Sequence, residues 1–402
     1  MRIAIHDFVG HAFPVQLSRE LARRGHTVLH VHFPAFEAPK GRLLRSETDS
    51  PYLSIFGVQT PKRYPKYSYV ARYAANRQYN KACTAALEDF GPEVVLSGNA
   101  PPDIQAALLH ACRLQRSAFI YWVQDFYGDA IGRLLRKRYG RLGSVVGAYF
   151  RNLDASVLRR SDQVVLITDD FIRIALSFGV SPEKCHVVEN WAVLDELPCK
   201  PRLNAWSRDH GLDGKTTFLY AGTLGLKHNP GLLVELARLF KEREDIAIVV
   251  VSEGLGRNWL EDQKAALGLD NLRLFDFQPF ELVPEMTATG DILVAMIEED
   301  AGVFSVPSKV STYFCAGRPM LVAAPSSNLA ARTVVRAGAG LVIDAGDVAG
   351  FLKAAERLLF DKGLAQGCGK QARAYAERTF DIGPIADRFE RVFELARISS
   401  TS

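Results

Sequence analysis

Two lysines in the second half of the chain stand where an anion could be bound. Lys227 lies in Ala221-Gly-Thr-Leu-Gly-Leu-Lys-His-Asn-Pro230, whose glycines allow a ligand to approach the backbone. Lys309 lies in Val306-Pro-Ser-Lys-Val-Ser-Thr-Tyr-Phe-Cys-Ala-Gly-Arg-Pro319, which predicts a short helix beginning near Ser308. The free N–H groups and the positive dipole end of such a helix suit a diphosphate. The alternative is an ordinary strand–helix unit with surface lysines.

Polar residues in the first half could contact a neutral substrate. Asp125 follows the apolar run 118–123, so it lies at a predicted strand end and could polarise a substrate hydroxyl. Capping the next helix is an equally good use of that carboxylate. The first loop supplies Asp7 and His11, which could contact a sugar-like substrate or make structural hydrogen bonds. This loop lacks G-x-G-x-x-G, which argues against a dinucleotide site.

A basic segment follows Asp125. Residues 133–160 carry eight Arg or Lys side chains and one acidic residue, Asp154, interleaved with apolar residues. A basic amphipathic helix of this kind binds anionic lipid headgroups, so the segment is a candidate for contact with an anionic membrane surface. The alternative is a solvated helix face beside the core.

Alternating strands and helices must position these residues. In the first half the predicted strands are 2–6, 27–33, 93–97, 118–123, 163–167 and 185–189. In the second half they are 216–221, 246–251, 272–275, 291–297, 320–324 and 340–344. The alternation predicts an α/β protein with two doubly wound parallel sheets, which bind ligands at the carboxyl ends of their strands.

A loss of periodicity marks the boundary between two domains. The stretch 189–201 contains two prolines and no clear pattern, so we place a linker at about 193–212. The predicted domains are residues 1–195 and 196–379, facing each other across a cleft of the kind that binds small molecules. A helix over 380–398 has one apolar face, and the first domain is one place for it to pack.

Composition limits the classes of function. The 402-residue chain has a net charge of +4, too small to predict a nucleic-acid partner. Its six scattered cysteines form no C-x-x-C pair, which favours reduced thiols in a cytoplasmic protein. We expect no signal peptide and no membrane span, since no apolar run reaches about 18 residues. His26, His30 and His32 alternate on one strand without a local Asp, Glu or Cys, so no metal site is expected.

Together these stretches resemble the retaining nucleotide-sugar glycosyltransferases of family four, which have the GT-B fold. The match is closest to the bacterial exopolysaccharide and lipopolysaccharide branch. It depends mainly on Tyr220–Lys227 and Val306–Pro319, with weaker support from Arg23–His26 and Glu189–Trp191. The resemblance covers essentially the whole chain. It implies two Rossmann-like domains, the first binding the acceptor and the second the donor, with the last helix crossing back to the first.

The resemblance also implies which residues bind the donor. Lys227 would bind the diphosphate in a cleft lined by Gly222 and Thr223. The helix start at 308–310, with Ser308, Lys309 and Val310, would supply N–H groups to the phosphates. The base would lie near Phe277.

This chain departs from the family in its acidic residues. Thr312 stands where the family carries a glutamate that binds the ribose hydroxyls. The partner glutamate, which touches the donor sugar, has three acidic candidates here: Glu298, Glu299 and Asp300. Of these we place Glu299 in the catalytic set.

The implied reaction is metal-independent sugar transfer with retention, from a nucleotide sugar (UDP-sugar) to a glycan or lipid-linked acceptor. Lys227 and the helix start would stabilise the leaving diphosphate, which can itself take the acceptor's proton. Asp125, Asp7 and His11 would face the acceptor. The alternatives are a nucleotide-sugar epimerase on the same fold and a non-catalytic nucleotide-sugar-binding subunit. The implied location is the cytoplasm, peripheral on the inner face of the plasma membrane.

Overall fold

The computed structural model describes residues 1–36, 40–60, 69–224, 229–297 and 308–401. The chain forms two compact units. The first contains Met1–Asn190 together with Ile382–Ser402, and the second contains Trp191–Asp381. Each unit is a parallel sheet with helices, as the α/β prediction required.

Seven strands form the sheet of the first unit within the described residues, and all of them pair in parallel. Their order is β3-β2-β1-β4-β5-β6-β7, a doubly wound arrangement whose order reverses between β1 and β4. The strands are β1 (Arg2–Asp7), β2 (Thr27–His32), β3 (Leu53–Gly57), β4 (Val94–Gly98), β5 (Ala118–Val123), β6 (Gln163–Leu166) and β7 (Cys185–Val187).

Among the described residues, six α-helices accompany this sheet, five of them before residue 190 and one formed by Ile382–Thr401. They are α1 (Ala12–Arg23), α2 (Tyr69–Phe90), α3 (Pro102–Gln115), α4 (Tyr127–Arg160), α5 (Asp170–Ser177) and α14 (Ile382–Thr401). None of the described helices is both long and apolar enough to cross a membrane.

The last helix packs in the first unit, which confirms that part of the predicted fold. Phe389 is fully buried, and its ring lies 5.0 Å from that of Trp122 on β5. Glu390 accepts hydrogen bonds from Arg24 at 2.5 Å and from His26 at 2.8 Å. The apolar face of α14 therefore covers the sheet, while its acidic residues pair with the turn after α1.

The second unit has the same topology. Its strands β8 (Thr216–Ala221), β9 (Ile246–Val251), β10 (Leu272–Phe275), β11 (Ile292–Met296), β12 (Met320–Ala323) and β13 (Gly340–Ile343) lie in the order β10-β9-β8-β11-β12-β13. The order reverses between β8 and β11, the point at which such sheets bind ligands. The helices are α6 (Ala205–Asp209), α7 (Gly231–Leu239), α8 (Leu255–Leu267), α9 (Val283–Thr289), α10 (Ser308–Ala316), α11 (Leu329–Ala337), α12 (Val348–Phe360) and α13 (Lys362–Thr379).

The predicted linker at 193–212 is folded into the second unit. The side chain of Asn204 caps α6 by accepting a hydrogen bond from the amide of Ser207 at 3.0 Å. The amide of Asn204 in turn donates to the Ser207 hydroxyl, which completes a capping box. Trp206 is buried, and Asn204 also donates to the carbonyl of Glu285 at 2.9 Å. A short capped helix shows no periodicity, so the sequence pattern there indicated a linker.

Helix α4 is a hairpin of two helical arms. Gly140 breaks the helix with φ 57° and ψ −128°, a conformation that strongly favours glycine. A Cβ at Gly147 would lie 2.6 Å from Cα of Gly132, and one at Gly143 would lie 2.0 Å from the carbonyl oxygen of Leu135. The arms therefore pack antiparallel with their backbones in close contact. We call residues 127–160 the α4 hairpin.

Candidate functional site

The fold brings two of the predicted anion-binding stretches to one edge of the second sheet. Strands β8 and β11 are direct neighbours and run in parallel. Their carboxyl ends therefore lie side by side, and the loop after β8 leaves the same edge as the segment that leads from β11 into α10. Gly222 and Thr223 belong to the first loop, and α10 begins at Ser308.

Hydrogen bonds hold the loop after β8 in one conformation. The amide of Gly222 donates to the carbonyl of Val251 at 3.0 Å, and the amide of Leu224 donates to that of Glu253 at 3.2 Å. The amide of Thr223 has no acceptor among the described residues, and Thr223 is exposed. Thr223 thus offers a backbone donor at the surface of the loop.

The second glycine loop, at 251–256, supports the first. Gly254 has φ +108°, in the region that favours glycine. The amide of Gly256 donates to the carbonyl of Leu224 at 2.9 Å, and a Cβ at Gly256 would lie 2.6 Å from that oxygen. These glycines let the two loops touch through their backbones, so the second loop positions the first.

Two buried tyrosines fix the same loop from below. The hydroxyl of Tyr313 on α10 accepts a hydrogen bond from the amide of Ala221 at 2.8 Å and lies 3.2 Å from the carbonyl oxygen of Val294. The hydroxyl of Tyr220 donates to the carbonyl of Thr223 at 3.0 Å. Because Tyr313 lies on α10, it ties the helix to the end of β8.

Lys309 reaches back under the loop. Its ammonium donates a hydrogen bond to the Tyr220 hydroxyl and lies 3.8 Å from the centroid of that ring. Burial of the ammonium lowers the pKa of Lys309 to about 7. A Cβ at Gly222 would lie 3.1 Å from Cε of Lys309, and Gly222 itself has φ +131°. Glycine at this position therefore leaves room for the lysine beneath the loop.

The remaining predicted donor residues lie on α10 and after β10. Val310 is buried, and Thr312 is half-buried. Phe277 is half-buried in the loop after β10. Close to it in the chain, Phe275 lies edge-on to His210, with 4.7 Å between ring centroids, and Trp206 stacks on His210 at 4.1 Å. This aromatic cluster was not predicted, because its residues are about 65 positions apart in the sequence.

In the first unit, Asp7 organises the loop after β1. Its carboxylate accepts hydrogen bonds from the amides of His11 at 2.6 Å and Val9 at 3.3 Å, and from the side chain of Asn99 at 3.0 Å. Burial raises the pKa of the Asp7 carboxyl, while these hydrogen bonds oppose the rise. Asn99 follows β4 with φ 55°, an uncommon conformation for a residue other than glycine. His11 immediately precedes α1, and its ring stacks on that of Phe13.

A buried polar chain lies beside Asp7. The His6 ring bonds to the Ser97 hydroxyl through Nδ1 and to the Tyr79 hydroxyl through Nε2, both at 2.8 Å. Burial lowers the pKa of His6 to about 3, so its ring is neutral at physiological pH. Both ring nitrogens are occupied, which gives His6 a structural role at the sheet edge.

Asp125 lies between β5 and α4, where the sequence placed it, and is half-buried. The preceding residue, Gln124, accepts a hydrogen bond from the Asn190 side chain at 2.6 Å. The Gln124 side-chain nitrogen and the Asn190 side-chain oxygen are buried and have no partner among the described residues. An unpaired donor and acceptor side by side suit a hydroxyl group. This pair could not be predicted from the sequence, because Gln124 follows β5 and Asn190 follows β7.

Several predicted residues lie outside what the structure describes. Lys227 belongs to 225–228, and Glu298, Glu299 and Asp300 belong to 298–307, so the roles of these four residues stay predictions. Ser308 is the first residue of α10, and its backbone is described. Within the described part of the chain, no group of three His, Cys, Asp or Glu residues could hold a metal ion. His30, one of the alternating histidines, bonds instead to Ser18 at 2.8 Å.

Two family models match the chain. The model described as "Glycosyl transferase 4-like domain" matches residues 11–191, and the model described as "Glycosyl transferases group 1" matches residues 204–375. Both describe glycosyl transferases, so neither supports the epimerase alternative.

Individual relatives agree with the family models. WcaI of Escherichia coli (strain K12), whose name assigns it as a glycosyl transferase of colanic acid biosynthesis, is 23% identical over 284 residues, covering 69% of this chain and 68% of WcaI. The crystal structure of Anabaena Alr3699/HepE in complex with UDP-glucose matches with a TM-score of 0.69 and 14% identity over 98% of this chain and 99% of HepE. WaaG, described as a glycosyltransferase involved in lipopolysaccharide biosynthesis, matches with a TM-score of 0.69 and 16% identity. The match covers 97% of this chain and 99% of WaaG. These structures share the fold.

Proposed function

We propose that this chain, which belongs to the family-four glycosyltransferases and has the GT-B fold, transfers a sugar from a UDP-sugar to a glycan or lipid-linked acceptor with retention, in cell-surface polysaccharide biosynthesis. The names of WcaI and WaaG support the biosynthetic setting, and the UDP-glucose bound to HepE supports the donor class. The glycosyl transferase family itself makes the protein an enzyme.

The donor assignment depends on the groups at the edge of the second sheet where β8 and β11 end. The exposed Thr223 amide, the start of α10 and the Lys309 ammonium lie together there. Each of these groups favours an anion, and together they suit a diphosphate more than a neutral ligand. Lys227, in the continuation of the loop after Leu224, is proposed as a further phosphate contact.

The proposed mechanism needs no protein nucleophile. The bond between the anomeric carbon and the diphosphate oxygen breaks, and the acceptor hydroxyl oxygen bonds to that carbon from the same face. The departing diphosphate takes the hydroxyl proton, while the start of α10, Lys227 and Lys309 stabilise its charge. Glu299 is proposed to contact the donor sugar and Thr312 the ribose. Phe277 is proposed to contact the base.

The first unit is proposed to contact the acceptor. Asp125 polarises the acceptor hydroxyl, and Asp7 shapes the loop that carries His11 through the hydrogen bonds described above. In Asp7 the carboxylate oxygens are already occupied by three donors, so its contribution is to hold the loop. His11 is then the loop residue with a half-buried ring that a substrate could touch.

A turnover assay tests this function. Incubating the protein with UDP-glucose, other UDP-sugars and an extract of lipid-linked glycans should release UDP and lengthen an acceptor with the anomeric configuration kept. Excess EDTA should leave the rate unchanged if no metal takes part. Tight UDP binding without turnover on any acceptor would instead support the non-catalytic nucleotide-sugar-binding subunit. Conversion of the donor sugar to its epimer would contradict the proposal.

The α4 hairpin is proposed as a contact with an anionic membrane surface, which would place the enzyme on the inner face of the plasma membrane. Its far end exposes a run of large apolar side chains: Tyr139 (50%), Leu142 (79%), Val145 (70%), Val146 (46%) and Tyr149 (60%). Arg136 and Arg141 lie among them and are exposed. Asp154, the one acidic residue of 133–160, is buried and accepts hydrogen bonds from the Tyr121 hydroxyl and from the amide of Gly128.

This distribution of charge supports a lipid partner. With Asp154 turned inward, the described exposed charges at the tip are cationic, which suits anionic headgroups. The apolar side chains between them suit the boundary of the acyl chains. A solvated helix face would not normally group five large exposed apolar residues in one turn region.

Vesicle pelleting tests the membrane contact. Arg136→Gln with Arg141→Gln, and separately Leu142→Ser with Val145→Ser, should each reduce pelleting with phosphatidylglycerol-rich vesicles. Arg173→Gln with Arg336→Gln removes the same charge at exposed positions elsewhere and should not. Equal pelleting of all variants would rule out the hairpin as the contact.

A further inference from the structure

Lys309 is a cation whose described neighbours carry no charge. Its ammonium bonds to the Tyr220 hydroxyl and lies against the Tyr220 ring. Burial raises the pKa of Tyr220, and of Tyr313 beyond it, so both phenols stay neutral near pH 7. These two phenols are the titratable groups that face the ammonium from β8 and α10 within the described residues. A lysine in such surroundings loses its proton more readily than one in water.

The same ammonium is close to the surface where an anion would lie. The position that a Cβ of Gly222 would fill is 3.2 Å from Nζ of Lys309, and only hydrogen occupies it. The amide of Thr223, which has no acceptor among the described residues, is the next group along the loop. A diphosphate that reached this amide and the start of α10 would therefore come near Lys309 without a described side chain between them.

We propose that Lys309 takes up a proton when the donor diphosphate binds, and that Tyr220 is the positioning residue that holds the resulting ammonium under the Gly222–Thr223 loop. The proton comes from the buffer and forms the third N–H bond of the ammonium on Nζ. The diphosphate brings negative charge close to Lys309, which favours the charged lysine. This inference rests on the proposed donor site and adds a role for a proton in it.

The pH dependence follows from the direction of the shift. The pKa of Lys309 in the free protein is lowered to about 7, and a bound diphosphate raises it again. Between these two values the free protein lacks the proton that the complex holds. Donor affinity therefore falls as pH rises above about 7, by up to roughly tenfold per pH unit, because binding takes up one proton. Below pH 7 the affinity is flat with respect to this group.

Calorimetric titration with UDP-glucose measures the proton directly. The diphosphate of UDP-glucose has no group that ionises near pH 8, so any dependence of the heat on the buffer reports protons taken up by the protein. The binding heats measured at pH 8 in phosphate and in Tris should differ by an amount that corresponds to the uptake of close to one proton per complex. The same comparison at pH 6 should show almost none.

Three variants assign the proton to a residue. Lys309→Met should remove the uptake at pH 8. Tyr220→Phe removes the hydroxyl that accepts from the ammonium, so the onset of the pH dependence should move below pH 7. Tyr313→Phe is the matched control, because its hydroxyl bonds to the backbone at Ala221, and it should change affinity without moving the onset.

Two results would overturn this inference and leave the proposed donor site standing. One is binding of UDP-glucose by the unaltered protein with the same heat in both buffers at pH 8. The other is an unchanged uptake in Lys309→Met. A protein that binds neither UDP-glucose nor UDP would overturn the proposed donor site, and with it this inference.

Discussion

The two units have the same sheet topology but differ in how they use charge at the ligand edge. In the first unit Asp7 is a buried carboxylate whose oxygens are taken by two amides and Asn99. In the second unit Lys309 is a cation with a phenol and an aromatic ring as described partners. One edge has its charge satisfied from within the protein, whereas the other has a charge without a described counter-ion.

This difference shows how one topology can serve two ligands. An internally satisfied carboxylate fixes a loop and leaves neutral groups, such as the Gln124–Asn190 amide pair, to meet hydroxyls. A lysine without a described counter-ion, beside a backbone amide that has no acceptor among the described residues, gains most from an anion. Fold alone predicts neither ligand, because the distinction lies in a few side chains.

The largest effect is expected at Asp125, which we propose to act on the acceptor. Asp125→Asn should lower kcat by about 100-fold, the lower end of the range for groups that assist proton transfer, because the neutral amide polarises the acceptor hydroxyl less than the carboxylate does. The affinity for UDP should stay the same, since we propose that UDP contacts the second unit. Rate assays and calorimetry measure the two quantities, and Asp169→Asn, at an exposed aspartate after β6, is the control. A parallel loss of UDP affinity would contradict the assignment of the acceptor to the first unit and of UDP to the second.

Gly222→Ala tests the loop of the second unit. The alanine would combine a φ of +131° with a Cβ 3.1 Å from Lys309, so the loop or the lysine must move. We expect UDP affinity to fall by about 10- to 100-fold, corresponding to about 1.4–2.8 kcal/mol. Gly214→Ala is the control, because a Cβ there meets nothing within 4 Å. An unchanged affinity would mean that the Gly222–Lys309 contact does not shape the donor site.

Asp7→Asn tests whether the first edge is indeed satisfied internally. The new amide would place a donor against the amides that now bond to the carboxylate, leaving at least one buried group unpaired. We expect the free energy of unfolding to fall by about 2 kcal/mol, measured by urea denaturation. Asp89→Asn, at an exposed position on α2, should change it by less than about 0.5 kcal/mol. Similar values for both variants would contradict the structural role of Asp7.

The smallest effect is expected at Thr312, where the family carries a glutamate. If its hydroxyl contacts the ribose, Thr312→Ala should weaken UDP binding by about 2- to 10-fold, the scale of one neutral hydrogen bond. The variant should bind 2′,3′-dideoxy-UDP as well as the unaltered protein does. Ser311→Ala, one residue earlier on α10, is the matched control. Equal losses for UDP and the dideoxy analogue would remove the ribose contact from the account.

Much of the fold could be predicted because its strands are buried on both faces. All six residues of β5 are buried, and their apolar run was recognised directly. Strand β3 was missed because it lies at the edge of the sheet, where buried and exposed residues alternate over only five positions. The resemblance to family four supplied the direction in which the last helix packs.

The loops of the candidate site could be predicted, but the contacts between their side chains could not. Turn and helix-start signals indicated Gly222 and Lys309, and the resemblance to family four added Thr223. It did not indicate that Lys309 would bond to Tyr220, 89 positions away, because side-chain contacts across strands leave no local pattern. The same is true of the bond between Asp7 and Asn99, which depends on the left-handed backbone of Asn99.

We propose above all that the edge at β8 and β11 recognises the diphosphate of the donor. Calorimetric titration of the intact protein with UDP and with uridine, at pH 7 and one salt concentration, tests it most directly. UDP should bind at least about 100-fold more tightly than uridine, because charge-assisted contacts to phosphate contribute about 1.5–3 kcal/mol each. Equal affinities for the two, or no binding of UDP, would contradict the account.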